Sequence, residues 1–117
     1  MKEELDVAWA AGILEGEGCF FIYDRNIRTG SKNIGIRCNM TDEDIILRLK
    51  DVFSFGTIHV KSPKKPQHKV GWEWRLEKHS SIEEVINKVL PYLGKRRSSK
   101  AKELLAYIDS RKKPDAG

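Results

Sequence analysis

The sequence predicts an α+β fold: a four-stranded antiparallel sheet with helices on one face and the opposite face left free. Helical and extended patterns alternate in the order αββαββα with one extra C-terminal helix, and the extended stretches come in pairs joined by turn-rich segments. Within the strands, apolar and polar residues alternate, so one sheet face is apolar and the other polar.

Asp6 is the N-cap candidate for a first helix from Val7 to Gly16, with Trp9 and Ile13 on one side and a stripe of small residues beside them. Cys19 to Arg25 favours a strand, Asn26 to Lys32 a turn, and Asn33 to Met40 a second strand, together one long hairpin. Thr41 with Asp44 resembles a capping box and opens a helix that buries Ile45, Ile46, Leu49, Val52 and Phe53 before Gly56. A third strand, Thr57 to Lys61, and a fourth, Lys69 to Glu77, flank the turn SPKKPQHK. Ser80 with Glu83, or Ser81 with Glu84, caps a helix carrying Ile82, Val85, Ile86, Val89 and Leu90, which Pro91 ends. The last helix is expected from about Ser98 to Ser110.

The length of 117 residues suits one domain, assigned to residues 1–110, followed by a loose, charged tail from Arg111 to Gly117. Lys and Arg total 22 against 17 Asp and Glu, a net charge of +5 in the direction of a nucleic-acid binder. No apolar run is long enough to span a membrane, and no signal peptide or targeting segment is seen, so the expected location is intracellular, in cytoplasm, nucleoid or an organelle. Cys19 and Cys38 lack the spacing of a zinc site and read as reduced core or strand residues. His59, His68 and His79 share no ligand spacing either, and only His59 falls on the polar sheet face.

That face is where the positive charge collects. Alternation turns Ile58, Val60, Trp72, Trp74 and Leu76 toward the helices and His59, Lys61, Lys69, Gly71, Glu73 and Arg75 outward. In the first hairpin it places Tyr23, Arg25, Asn33, Arg37 and Asn39 outward, with Arg28 and Lys32 near the loop. Arginine and lysine grip phosphates or read guanine, asparagine reads adenine, and two-stranded ribbons fit the major groove, so the expected partner is double-stranded DNA. Core placement of the strand tryptophans argues against a single-strand stacking platform, and a polar face argues against a protein-interaction module.

The stretch Ala10 to Gly18, AAGILEGEG, breaks ordinary helix rules. Glu15 and Glu17 stand where a helix collects negative partial charge, each unfavourable by roughly 0.3–1 kcal/mol, and Gly12 and Gly16 each cost about 1 kcal/mol relative to alanine. One reading is a glycine-capped helix end with solvated glutamates. The other is a carboxylate site for a cation, on a helix whose small stripe of Ala8, Ala11, Gly12 and Gly16 admits a second backbone.

WAAGILEGEGCF, the following element order and PYLGKRR near the C-terminus resemble the single-motif LAGLIDADG homing endonucleases over nearly the whole chain. The resemblance implies a saddle-shaped sheet and a homodimer paired through the motif helices, with Ala8, Ala11, Gly12 and Glu15 at the interface. It implies that Glu17 binds Mg²⁺, or another divalent ion such as Mn²⁺ or Ca²⁺, with the Gly16 carbonyl as a second contact, while Glu15 is structural. The family's basic residue near the last helix maps onto Arg96 or Arg97, with Lys95 close by. Met40 stands where the family carries a polar residue, often Gln, which favours a rival: a non-cleaving DNA- or RNA-binding protein, such as an intron maturase or regulator, on the same scaffold.

Overall fold

Val7, Ala10, Ala11 and Leu14 recur at intervals of three and four residues, and they form the buried face of the first helix, α1 (Lys2–Glu17). The computed structural model describes residues 2–112. From α1 the chain passes directly into β1 (Gly18–Asn26), turns, and returns as β2 (Ser31–Met40). Helix α2 (Glu43–Phe53), strands β3 (Thr57–Lys61) and β4 (Gly71–Leu76), helix α3 (His79–Val89), a 3₁₀ turn (Leu90–Tyr92) and helix α4 (Lys95–Ser110) complete it. The sheet is antiparallel throughout, in the order β1-β2-β4-β3, so the two hairpins join along β2 and β4.

All four helices contribute to one core on one side of this sheet. Ile46, Leu49 and Phe53 of α2, Ile82, Val85, Ile86 and Val89 of α3, and Ala101, Leu104 and Ile108 of α4 meet Phe20, Ile34, Ile36, Cys38, Trp74 and Leu76. Trp74 is the largest fully buried side chain; its ring stacks on Phe53 and its indole N–H donates to the Phe55 carbonyl at 2.9 Å. The chain returns beneath that ring at Gly56, where φ is +95° and a Cβ would lie 2.5 Å from Trp74 Nε1, so no other residue fits. Among the described residues no helix is long and apolar enough to cross a membrane.

The α+β class and every predicted element are present, with shifted ends. Helix α1 begins at Lys2, so Asp6 lies inside it and faces Arg48 at 3.9 Å instead of capping. Neither capping box forms: α2 and α3 start after Asp42 and Lys78, without side-chain caps. In α3 the reason is visible, because Ser81 is buried while Glu83 pairs with Lys112 and Glu84 with Lys88. Helix α4 starts three residues before the expected Ser98, which draws Lys95, Arg96 and Arg97 into its first turn. Strand β4 starts at Gly71, the partner of Lys61, which leaves Lys69 in the loop. Val60, expected against the helices, is 57% exposed, because it sits near the end of the edge strand.

The expected loose tail is partly anchored. Arg111 donates to the Tyr107 hydroxyl at 3.1 Å and to the Thr29 carbonyl at 3.4 Å, and Lys112 meets Glu83 at 2.8 Å. Residues 113–117 lie outside the described residues.

Candidate functional site

The absence of a loop between α1 and β1 fixes the position of the motif glutamates. Gly18 makes this junction possible: a Cβ there would lie 2.6 Å from the Leu14 carbonyl oxygen. Gly18 pairs with Cys38, which brings the end of α1 beside the end of β2. The Glu17 carboxylate raises the pKa of the buried Cys38 thiol; burial contributes most, Glu17 adds to it, Arg97 opposes both, and the value is pushed up to about 11.

The two glutamates have separate fates. Glu15 Oε1 accepts from the Gly94 amide at 2.6 Å, and Arg97 lies 3.7 Å from Oε2. Arg97 also donates from Nε to the Glu15 carbonyl at 2.7 Å and from Nη1 to the Gly18 carbonyl. A guanidinium on unpaired carbonyls at a helix C-terminus is the compensating charge that the local sequence demanded. It belongs to the chain itself and serves Glu15 and the helix end. Glu17 is exposed and, among the described residues, makes no ion pair.

Arg97 is therefore engaged in holding α1 to α4. Arg96 is exposed and lines a concavity with Lys100, beside Gly18 and Cys19, the two residues that follow Glu17. Lys95 is exposed in the same turn. Met40 is half-buried opposite Trp72 and packs against the core.

The small stripe on α1 divides in two. Ala11 is fully buried in this chain's own core, so it is not available to a second copy. Gly12 and Gly16 lie opposite the buried face, beside Leu5 at 72% exposure, with Ala8 half-buried at the margin. A Cβ at Gly12 or Gly16 would meet nothing within 4 Å, so nothing within the chain requires glycine there. Glu15, expected at the interface, directs its carboxylate to Gly94 and Arg97.

Across the sheet, the strand register assembles the polar face in rows. Cys19, Arg37, Arg75 and Thr57 form one row; Asn39, Glu73 and His59 form the next; Lys61 lies opposite Gly71. Arg37 and Arg75 are directly opposed like charges, a destabilising arrangement in isolation. Each is drawn away by another partner: Arg37 lies over the Phe21 ring at 4.6 Å, and Arg75 bonds Glu73 through Nε at 2.8 Å and Nη2 at 2.5 Å. Lys61 Nζ approaches the other oxygen of Glu73 at 3.2 Å, off the hydrogen-bonding direction. Burial alone would raise the Glu73 pKa, but Lys61 and Arg75 outweigh it and hold the carboxyl below its usual range. The Thr57 hydroxyl meets His59 Nε2 at 2.8 Å.

Tyr23, Asn33, Arg37, Asn39, His59, Lys61 and Arg75 thus share this face, as alternation predicts, while Arg25, unpaired at the irregularity between Asp24 and Asn26, lines the same concavity as Tyr23, Arg37 and Arg75. Arg28 sits in the hairpin turn, where its amide donates to Asn26 Oδ1 at 3.0 Å. Lys32 is occupied by Asp24 at 3.4 Å, and its amide donates to the Tyr107 hydroxyl at 2.9 Å, fastening the hairpin to α4. Phe21 was not foreseen on the face. The alternation that placed Tyr23 outward places Phe21 there too, and Gly35 opposite was the available signal: a Cβ at Gly35 would lie 2.3 Å from the Phe21 ring.

This fold, a sheet polar on one side and helix-packed on the other, is similar to that of homing endonucleases of known structure. The endonuclease I-CvuI in complex with its target in the presence of Ca superposes with a TM-score of 0.72 at 23% identity, covering 92% of this chain and 68% of that one. I-TnaI gives 0.67 at 23% identity, over 88% of this chain and 71% of that one. The archaeal intron-encoded I-Vdi141I, complexed with DNA, gives 0.64 at 14%, over 92% and 67%. At these identities the likeness is one of fold. The family model for LAGLIDADG endonucleases matches residues 10–112, and this chain belongs to that family. No curated protein matches it by sequence.

Proposed function

We propose that this chain is a homodimeric, divalent-metal-dependent endonuclease that cuts both strands of duplex DNA at a long pseudo-palindromic site. The observation that carries the reading is the contrast between the glutamates: Glu15 is consumed by Arg97 and Gly94, whereas Glu17 stands exposed at the helix end beside the basic face.

Hard oxygen donors at this point, the Glu17 carboxylate and the Gly16 carbonyl, suit Mg²⁺, Mn²⁺ or Ca²⁺. Glu17 is a single carboxylate, and such an ion takes several oxygen ligands, so the reading requires a second copy to bring its own Glu17 to the site. Bound there, a divalent ion supplies Lewis-acid stabilisation of the phosphodiester and a more acidic water. The residues of the chain do the rest. Open space at Gly12 and Gly16 lets two α1 helices approach closely. An isologous pair then presents the two sheet faces symmetrically, which is why the site would be a pseudo-palindrome. Arg96 and Lys100, beside the residue pair that follows Glu17, are placed to neutralise phosphate charge.

Glu17→Gln should abolish cleavage of the cognate duplex while leaving DNA affinity within severalfold, measured by gel-based cleavage and by binding without added metal. Cleavage surviving in that variant would remove Glu17 from the metal site. Met40 supports a second reading, a non-cleaving DNA- or RNA-binding protein such as a maturase, because an apolar side chain packed opposite Trp72 orients no water. Selection of cut sequences from a randomised duplex library with Mg²⁺ separates the two: cut, symmetric sequences support the nuclease, and binding without any cut sequence supports the rival.

A further inference from the structure

Glu73 is an anomaly of the basic face. Its carboxylate is central and fully buried, enclosed by its cross-strand neighbours Asn39 and His59 and by Lys61 and Arg75. A negative charge there lowers the attraction of the face for phosphate, and a buried carboxylate cannot touch a base itself. Whatever it contributes must pass through the side chains it holds.

Arg75 is held in a particular way. A guanidinium offers paired donors along two edges, Nε with Nη2 and Nη1 with Nη2. Glu73 Oε1 takes the first edge, at 2.8 Å from Nε and 2.5 Å from Nη2, while Nη1 is 3.7 Å from Glu77, whose carboxylate is 64% exposed. Lys61 approaches the opposite oxygen at 3.2 Å as an ion pair without a hydrogen bond, and its charge keeps the buried carboxylate ionised. The second edge of Arg75 is thereby oriented without being consumed, in the concave part of the face lined also by Phe21, Tyr23 and Arg37. Two parallel N–H donors on a fixed edge match O6 and N7 of guanine in the major groove. A residue that merely neutralises phosphate needs no such orientation.

We propose that Glu73 is a positioning residue for base recognition: by binding Nε and Nη2 of Arg75 it leaves the Nη1 side as a guanine-reading fork, one per half-site. The inference rests on the reading of this sheet as the duplex-DNA face. It carries an unusual sign, because Glu73 gives up non-specific attraction in exchange for selectivity. Removing its charge should therefore strengthen binding to arbitrary DNA and weaken discrimination at one position.

The test is a binding selection of the full chain on a duplex library randomised across both half-sites, without added divalent metal. The wild-type protein should select guanine at one symmetric position by about 5- to 150-fold, the range of a good bidentate pair. Arg75→Ala should lose that preference. Glu73→Gln should lose most of it at the same position alone, with equal or tighter binding to a scrambled duplex and a preserved circular dichroism spectrum. If folded Glu73→Gln keeps the full preference, or relaxes every position alike, the positioning role is wrong while the DNA-binding reading stands. If the wild-type protein binds no duplex, the reading of the face falls and the inference with it. Should Glu73→Gln not fold, Arg75→Lys decides: lysine keeps the ion pair but has no fork, so a guanine preference retained in that variant overturns the assignment.

Discussion

Replacing Arg97 with methionine removes a guanidinium that holds three acceptors at once: the carbonyls of Glu15 and Gly18 and, at 3.7 Å, the Glu15 carboxylate. A hydrogen bond from a charged donor contributes about 1.5–3 kcal/mol. The longer ion pair adds under about 1 kcal/mol, and since all three share one side chain the terms fall short of their sum. The side chain is only 17% exposed, so solvent does not replace the lost donors fully. The expected loss is about 3–5 kcal/mol, a large part of the roughly 5–15 kcal/mol that keeps a domain folded. Urea unfolding followed by far-ultraviolet circular dichroism should show the midpoint falling with little change in slope. Calorimetry should show Tm lower by roughly 4 °C for each kcal/mol. A loss under about 1 kcal/mol would mean that Arg97 is a solvated cation, and the assignment of structural work to Arg97 would collapse.

Gly12→Leu should stabilise the monomer by about 0.5–1 kcal/mol through helix propensity, because a Cβ there meets nothing within 4 Å, yet should dissociate the dimer in sedimentation; an unchanged dimer would refute pairing through α1. The Cys38 thiol, raised from 9.0 to about 11, keeps its proton in the folded chain after the unfolded chain has lost it. Its stabilisation is full below pH 9.0 and is lost as pH rises through about 11, a decline on the order of 2–3 kcal/mol that urea titrations of wild type and Cys38→Ala should resolve by its absence in the variant. DNA affinity should fall with salt at a log–log slope of about −0.9 per phosphate neutralised, and a flat response would contradict the use of the sheet face for duplex DNA.

Periodicity made the core faces of α2 and α3 legible, because Ile46, Leu49, Ile82 and Ile86 fall on one side of each helix, whereas in α1 the buried face runs through Val7 and Leu14 and leaves the expected Trp9 and Ile13 half-buried at its margin. Alternation made the face legible for the same reason. Helix starts were less so. Ser80, Ser81, Glu83 and Glu84 satisfy a capping pattern, but Glu83 pairs with Lys112 beyond α4 and Ser81 is buried in the core, and neither fact is local; only Glu84 has its partner, Lys88, within α3. The role of Arg97 was similarly hidden: its partner Glu15 is 82 residues away in the chain. The motif showed that the helix end lacked a positive charge, and only the packing of α4 showed where one came from. Glu73 was read correctly as outward, while its burial depended on side chains from a neighbouring strand.

The strand order also bears on how the protein behaves in concentrated solution. Strands β1 and β3 are the two edges of the sheet, and an open edge is a template for adding a foreign strand. At β1 the chain protects itself by packing α4 alongside, and Arg97 covers the carbonyl of Gly18, the first residue of that edge. At β3 the device differs: the strand is only five residues long, and the loop after it carries Pro63, Pro66, Lys64 and Lys65. Proline denies an incoming strand a donor, and lysine charge disfavours stacking of copies. The short strand, closed by a proline- and lysine-rich loop, thus offers a foreign strand little length to pair with, and the basic sheet face can stay open beside it.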